Sequence, residues 1–374
     1  MKRINCLLLF FVTITVGIDH AFSQQLLEVQ APDSVSLVTI NGKSTTYYEL
    51  YVANLSSDSI EITTLQILDK SDSSVILSFA GGDLKQRCMP PTMINGTNVL
   101  ARGDTSVLYI ELVLSGNKPI NEIAHRFGYK LKNEVKSNFR ECAFIRLSQK
   151  NEIVLGPPLG KGNWAAVYEP SWPRGHRRVI YFRNGQRHIP GRYAIDFIRL
   201  NELGQYADGG EDSITNWYGY GNNVLAVADG VVSSVRTDFA ESKTLSGHPK
   251  YDADMATGNY ISINIGNNHF AFYEHLQPGS IKVKPGQHVR KGDIIAAIGF
   301  TGQTTGPHLH FHIAGTNSPL GAEGLPFIFD QFVNLGSYTN FENFGKTKWE
   351  PVKDLNQANA VRQRPAPNVV IKFN

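Results

Sequence analysis

The chain has 374 residues, with 36 Lys+Arg against 33 Asp+Glu, 11 His and a formal net charge of +3. At about 100–200 residues per domain this length implies two or three domains, each large enough to bury a core. With 41% hydrophobic and 18% charged residues the composition excludes a disordered chain, and the small net charge gives no support to a nucleic acid or other polyanion as partner.

In chain order, residues 1–23 come first. Lys2 and Arg3 precede an apolar run from Cys6 to Ile18, and Ala21-Phe22-Ser23 has the small-x-small form of a cleavage site. This is the pattern of a secretory signal peptide, and the run is short for a span, which needs ~20 apolar residues. The expected location is exported: periplasmic, cell-envelope or extracellular. No later stretch is apolar enough to cross a bilayer, so no transmembrane span remains after cleavage. Cys6 does not stand before a cleavage site, which argues against a lipid-modified N-terminal Cys. Cys88 and Cys142 remain, about 54 residues apart. In an oxidising compartment they are expected to pair or to stand as two free thiols.

Residues 24–150 read as short strands separated by turn residues: 34–40, ending at the turn signal Asn41-Gly42, then 47–52, 60–68, 104–114 and 139–147. This spacing predicts an all-β, immunoglobulin-like antiparallel sandwich. It carries no cluster of residues with ligand spacing and reads as a binding or spacer module. Residues 151–175 hold Pro157, Pro158, Gly160, Gly162, Pro170, Pro173 and Gly175, and read as a linker or an arm packed across the boundary. Strands resume from residue 176, and the Asn-rich 333–374 reads as an irregular tail that wraps the second domain and frays at its end.

The candidate chemistry lies in residues 176–332. In Gly306-Pro307-His308-Leu309-His310-Phe311-His312-Ile313, strand alternation puts the three histidines on one face, with successive imidazoles ~6.5–7 Å apart at the backbone. Further elements precede it. They are Tyr193-Ala194-Ile195-Asp196-Phe197, Ala226-Val227-Ala228-Asp229-Gly230-Val231-Val232, Tyr273-Glu274-His275-Leu276, and the run from Val283 through Gly286, Lys291-Gly292-Asp293 and Thr301-Gly302.

Taken in order, these elements resemble the lysostaphin- and LytM-like zinc metallopeptidases, peptidase family M23. The resemblance implies a compact antiparallel β domain of the duplicated hybrid motif type, one zinc ion per chain, and endopeptidase chemistry on peptidoglycan cross-links or another extracellular peptide. It implies that Asp196 and His310 are metal ligands and that His275 and His308 are the catalytic histidines beside them. Hydrolytic zinc takes three N/O ligands and leaves one position for water. The usual first ligand is a His four residues before the Asp, and here that position is Arg192, which cannot bind zinc. His176 and His188 are the available replacements. Arg183-Asn184-Gly185-Gln186 predicts a hairpin that pairs Phe182 with Arg187. Continued, this register brings Asp196 near Pro173 and His176 near Tyr193, while His188 lies toward the tip. It favours His176 as third metal ligand over His188.

His312 reads as support beyond the ligands, His248 and His269 as surface or core residues, and His288 and the Lys282, Lys284, Arg290, Lys291 run as a solvated rim. The Gly- and Thr-rich 299–306 loop reads as a flexible groove wall. The rival to an enzyme is a degenerate domain that binds wall peptides or activates another hydrolase: Arg192 favours it, while His275, His308, His310 and Asp196 favour the enzyme. A third reading, an adhesin-like protein acting through its first half, has no specific sequence feature behind it.

Overall fold

The computed structural model describes residues 26–89, 98–116, 118–132, 134–148, 152–353 and 358–373. The signal segment 1–23 lies outside the described residues. Among those described, no helix is long and apolar enough to cross a membrane.

The first half is a β-sandwich. One sheet is built on the antiparallel pair Lys43–Asn54 and Thr105–Leu114. The other is built on Ile60–Asp69, Glu122–Leu131 and Asn138–Ser148. Tyr48, Leu50, Val52, Leu108, Ile110 and Leu112 face Ile62, Leu65, Ile67, Phe127 and Ile145 in one core. Strand alternation then sends Tyr47, Glu49, Tyr51, Val107, Tyr109 and Glu111 to the opposite face of the first sheet. That face is not solvated: Tyr47, Glu49 and Tyr109 are all buried, because the second half of the chain packs on it. Asn41 and Gly42 have φ of 49° and 74°, and Ile40 pairs with Lys43, so the Asn-Gly turn forms a two-residue hairpin.

The expected strand 34–40 is two strands. Ser34–Ser36 pairs parallel with Arg146, Leu147 and Ser148 in one sheet, and Val38–Ile40 pairs with Lys43–Asn54 in the other. The chain changes sheets at Leu37, which stays buried in the core between them. The pairing expected as one option for Cys88 and Cys142 is not formed. Both thiols are free. Cys88 pairs with Leu108 in one sheet and Cys142 with His125 in the other. Burial pushes the Cys88 thiol up to about 12.

The second half is organised on one long sheet, antiparallel except at one edge. Its order is Val154–Leu155, Ile328–Ser337, Val369–Lys372, Asn163–Val167, Ile195–Leu200, Leu309–Ala314, Phe270–Glu274, Tyr260–Asn264, Gly230–Arg236 and His288–Val289. Segment 151–175 is therefore not only a linker: its strand Asn163–Val167 lies between Ile195–Leu200 and Val369–Lys372. The stretch after residue 332 is not an irregular, fraying tail either. Val369, Val370 and Ile371 are buried in the sheet interior, and Tyr168 Oη reaches back to the Pro365 carbonyl at 2.6 Å. Three consecutive apolar residues buried on both faces form a strand too short for period-2 alternation to reveal.

Along Ile195–Leu200, Ile195 and Phe197 enter the main core with Leu309, Phe311 and Ile313. Asp196 and His310, register partners on neighbouring strands, share the other face.

Candidate metal centre and active-site groove

Asp196 is the hub. His310 pairs with it across the sheet, and His310 Nδ1 lies 2.8 Å from Asp196 Oδ1. His176 Nε2 lies 2.7 Å from Asp196 Oδ2. One ligand atom each from His176, Asp196 and His310 falls within 4.8 Å of the others. The His176 and His310 ring centroids are 4.6 Å apart. Burial works against the Asp196 charge, but the imidazoles of His176 and His308 hold the carboxyl well below its usual range. Burial lowers His310. Burial would also lower His176, but its charge attraction and hydrogen bond to Asp196 raise it overall.

His176 reaches this point by a route that differs from the expected one. The Asn184-Gly185 hairpin forms, with φ of 50° and 74°, and pairs Phe182 with Arg187 and Tyr181 with His188. The register stops there, because the chain enters the short 3-10 turn Pro190–Tyr193 and proline has no N–H to continue a ladder. Asp196 therefore pairs with Val167, not with Pro173. The turn His176–Arg178 packs on Gly191, where a Cβ would come within 2.8 Å of His176 Cβ. His188 points elsewhere, its Nδ1 3.5 Å from Glu323 Oε1.

Beside the hub stand the other two predicted histidines. His275 follows the strand Phe270–Glu274 in a left-handed conformation, φ 62°, which costs a non-glycine residue on the order of 1–3 kcal/mol and turns its ring into the site. Its Nδ1 donates to the Thr301 carbonyl at 2.7 Å, leaving Nε2 as a free base. Burial, reinforced by His308 and His310, holds this imidazole well below its ordinary pKa. His308 Nδ1 lies 2.8 Å from the Gly306 carbonyl and 3.1 Å from Thr304 Oγ1. Its Nε2 sits 3.3 Å from Asp196 Oδ1 but has no aligned hydrogen-bond partner. The two rings are 4.8 Å apart. His275, His308 and His310 form a second group with ligand atoms within 4.8 Å. The 299–306 loop, expected to be flexible, is pinned: Thr301 and Thr304 are buried, and its carbonyls orient both histidines.

Glu274 is a buried carboxylate beside the site that the sequence motifs do not single out. It pairs with His310 in register. Its Oε1 lies 3.9 Å from His312 Nδ1 with no hydrogen-bond partner, and burial, added to by the Asp196 charge, holds its carboxyl well above the usual range. The alternation of Phe270–Glu274 was the available signal. His312 stacks on Phe272 at 4.9 Å. His248 Nε2 contacts the Gly302 carbonyl at 2.7 Å, and His288 is exposed. A groove walled by Val179, Tyr181, Pro190, Pro319 and Leu320 opens onto His176, His275 and His310.

The donor set fits a zinc ion. Two imidazole nitrogens and a carboxylate converge, and the buried His308 Nε2 beside them lacks a partner that a cation with its water would provide.

Residues 212–321 match the model described as peptidase family M23. The matched span includes His275, His308 and His310 and excludes His176 and Asp196. Over those residues the second half of the chain is similar to peptidase family M23. Among curated proteins, it is 28% identical over 218 residues to "Peptidoglycan DD-endopeptidase ShyC" of Vibrio cholerae serotype O1, covering 53% of this chain and 45% of that protein. It is 45% identical over 102 residues to "Peptidoglycan DD-endopeptidase ShyB" of the same organism, covering 25% of this chain and 23% of that protein. The chain thus spans less than half the length of these relatives. Of solved structures, the catalytic domain of lysostaphin from Staphylococcus simulans aligns at 23% identity over 44% of this chain and 88% of its own, with a TM-score of 0.23. A zinc-containing peptidase from Vibrio cholerae aligns at 18% identity over 77% of this chain and 81% of its own, with a TM-score of 0.25.

Proposed function

We propose that this protein is an exported zinc-dependent endopeptidase that hydrolyses the peptide cross-links of peptidoglycan, with residues 1–23 as its export signal. The observation that carries the reading is the convergence of His176 Nε2 and His310 Nδ1 on the two carboxylate oxygens of Asp196, with His275 and His308 alongside. The DD-endopeptidase activity named for the Vibrio relatives suggests the substrate class.

In this reading His176, Asp196 and His310 hold the ion. When bound, zinc supplies Lewis acidity, polarising the scissile carbonyl and bringing the pKa of water toward neutrality. His275, with its Nδ1 proton committed to Thr301 and its Nε2 free, takes a proton at Nε2 and later returns it to the departing amine. His308, tied through Nδ1 to Gly306, directs Nε2 at the same place and orients the substrate there. The groove at Tyr181, Pro190 and Leu320 receives the peptide. Arg192 does not argue for a degenerate site when His176 takes over the missing ligand position.

The test is digestion of cross-linked muropeptide dimers, read by mass spectrometry. Wild type yields monomers and His310→Ala yields none while also losing its zinc. Wild type that takes up no zinc when it is supplied, and binds wall material without cutting it, contradicts the reading.

A further inference from the structure

His176 sits in a three-residue turn whose N-cap, Gly175, makes no side-chain capping bond, and its own side chain is 39% exposed. Little within that segment fixes the imidazole. What fixes the turn is the next residue. Arg177 is 3% exposed and is driven into the N-terminal sandwich. Its Nε donates to Glu49 Oε1 at 2.8 Å, its Nη2 donates to the carbonyls of Tyr48 and Ile110 at 2.7 and 2.8 Å, and its Nη1 donates to Glu111. Arg178 lies over the Tyr109 ring at 4.0 Å.

The second oxygen of Glu49 holds the other turn. Arg192 Nε donates to Glu49 Oε2 at 2.7 Å. Arg192 occupies the position where the family carries a histidine ligand, and it is followed by Tyr193, whose hydroxyl accepts from the Tyr47 amide at 2.9 Å. One buried carboxylate therefore ties together the His176–Arg178 turn and the Pro190–Tyr193 turn, which touch where Gly191 meets His176. The Arg192 charge is thereby paired with carboxylates, Glu49 on one side and Glu323 Oε2 at 2.6 Å on the other.

We propose that Glu49 is a positioning residue for the metal ligand His176, so that the metal centre is completed by the N-terminal sandwich and not by the peptidase domain alone. The proposal rests on the reading of His176 as a zinc ligand. Residues that orient metal ligands change metal affinity by about 10–100-fold when altered, without touching the ion.

The test is a zinc competition titration on the full chain against a chromogenic chelator, backed by the visible spectrum of the cobalt-substituted protein. Glu49→Gln is expected to raise the zinc dissociation constant by roughly 10–100-fold and to alter the cobalt spectrum. Leu65→Ala, in the sandwich core away from the clamp, is expected to lower the melting temperature and leave both unchanged. Wild-type zinc affinity in Glu49→Gln overturns the proposal. An equal loss in Leu65→Ala also overturns it, since general destabilisation then explains the effect. If Glu49→Gln does not fold, Glu49→Asp, which keeps the charge and shortens the reach, is read by the same criteria. His176→Ala separates the two ideas. If it binds zinc like wild type, the ligand assignment fails. If it loses zinc while Glu49→Gln keeps it, only the positioning role fails.

Discussion

At the scale of single residues, the proposed mechanism rests on one nitrogen of each flanking histidine being committed to a backbone carbonyl. His275 and His308 each spend Nδ1 this way, on Thr301 and Gly306, and keep Nε2 for chemistry. Neither is needed to hold the ion in the proposed mechanism. His275→Ala and His308→Ala are each expected to retain zinc and to lose about 10²–10⁴ in kcat, as is typical for an acid–base group, with kcat and metal content measured on the same preparation. A different histidine contributes to acid stability. His125 is buried in the sandwich; Nδ1 donates to the Ala143 carbonyl at 2.5 Å and Nε2 accepts from the Tyr48 hydroxyl at 2.8 Å. Burial depresses its pKa to about 4. Because the folded value lies below that of the unfolded chain, the unfolded state binds the extra proton first. Stability is fully present above about pH 6.5 and is lost as pH falls toward 4, on the order of 3 kcal/mol from this group. Denaturant unfolding at pH 7.5 and pH 4.5 is expected to show a smaller drop for His125→Gln than for wild type.

At the scale of elements, the position of His176, the proposed third ligand, depends on two short turns in contact. Gly191 has no room for a side chain, since a Cβ would meet His176 Cβ at 2.8 Å and His176 O at 2.9 Å. Gly191→Ala is expected to displace the His176 turn and weaken zinc binding by tenfold or more, within the range of about 10–100-fold for groups that orient ligands, as read in the same competition titration. The contrast between legible and hidden elements has a physical basis. The Asn41-Gly42 and Asn184-Gly185 turns were readable because φ > 0 at both central positions demands those residues. The shared face of His308, His310 and His312 followed from period-2 alternation, although the strand itself begins at Leu309. The detour to His176 was hidden because a hairpin register says nothing about where it ends, and here Pro190 ends it. Asn163–Val167 and Val369–Lys372 were hidden because each is a brief apolar run between prolines, glycines and asparagines, and only pairing with distant strands makes them strands.

At the scale of the whole molecule, the two halves share a buried polar seam that composition cannot reveal. The outward face of the first sheet reads Tyr47, Glu49, Tyr51, a pattern that suits solvent as well as it suits an interface. The structure closes it with Arg177, Arg192 and Tyr193. Arg192 and Arg177 together hold the buried Glu49 carboxyl below its usual range, overcoming the effect of burial. Breaking one partner of such a buried pair costs about 3–5 kcal/mol. A chain beginning at residue 152 is accordingly expected to aggregate or to bind zinc poorly, as judged by size-exclusion chromatography and metal content. The central claim is that zinc is held by His176, Asp196 and His310 in a chain whose Arg192 fills the usual ligand position. Elemental analysis of the purified full chain tests it most directly. The expected result is about one zinc per chain in wild type and in His188→Ala, and none in His176→Ala. Zinc retained in His176→Ala, or lost in His188→Ala alone, contradicts it.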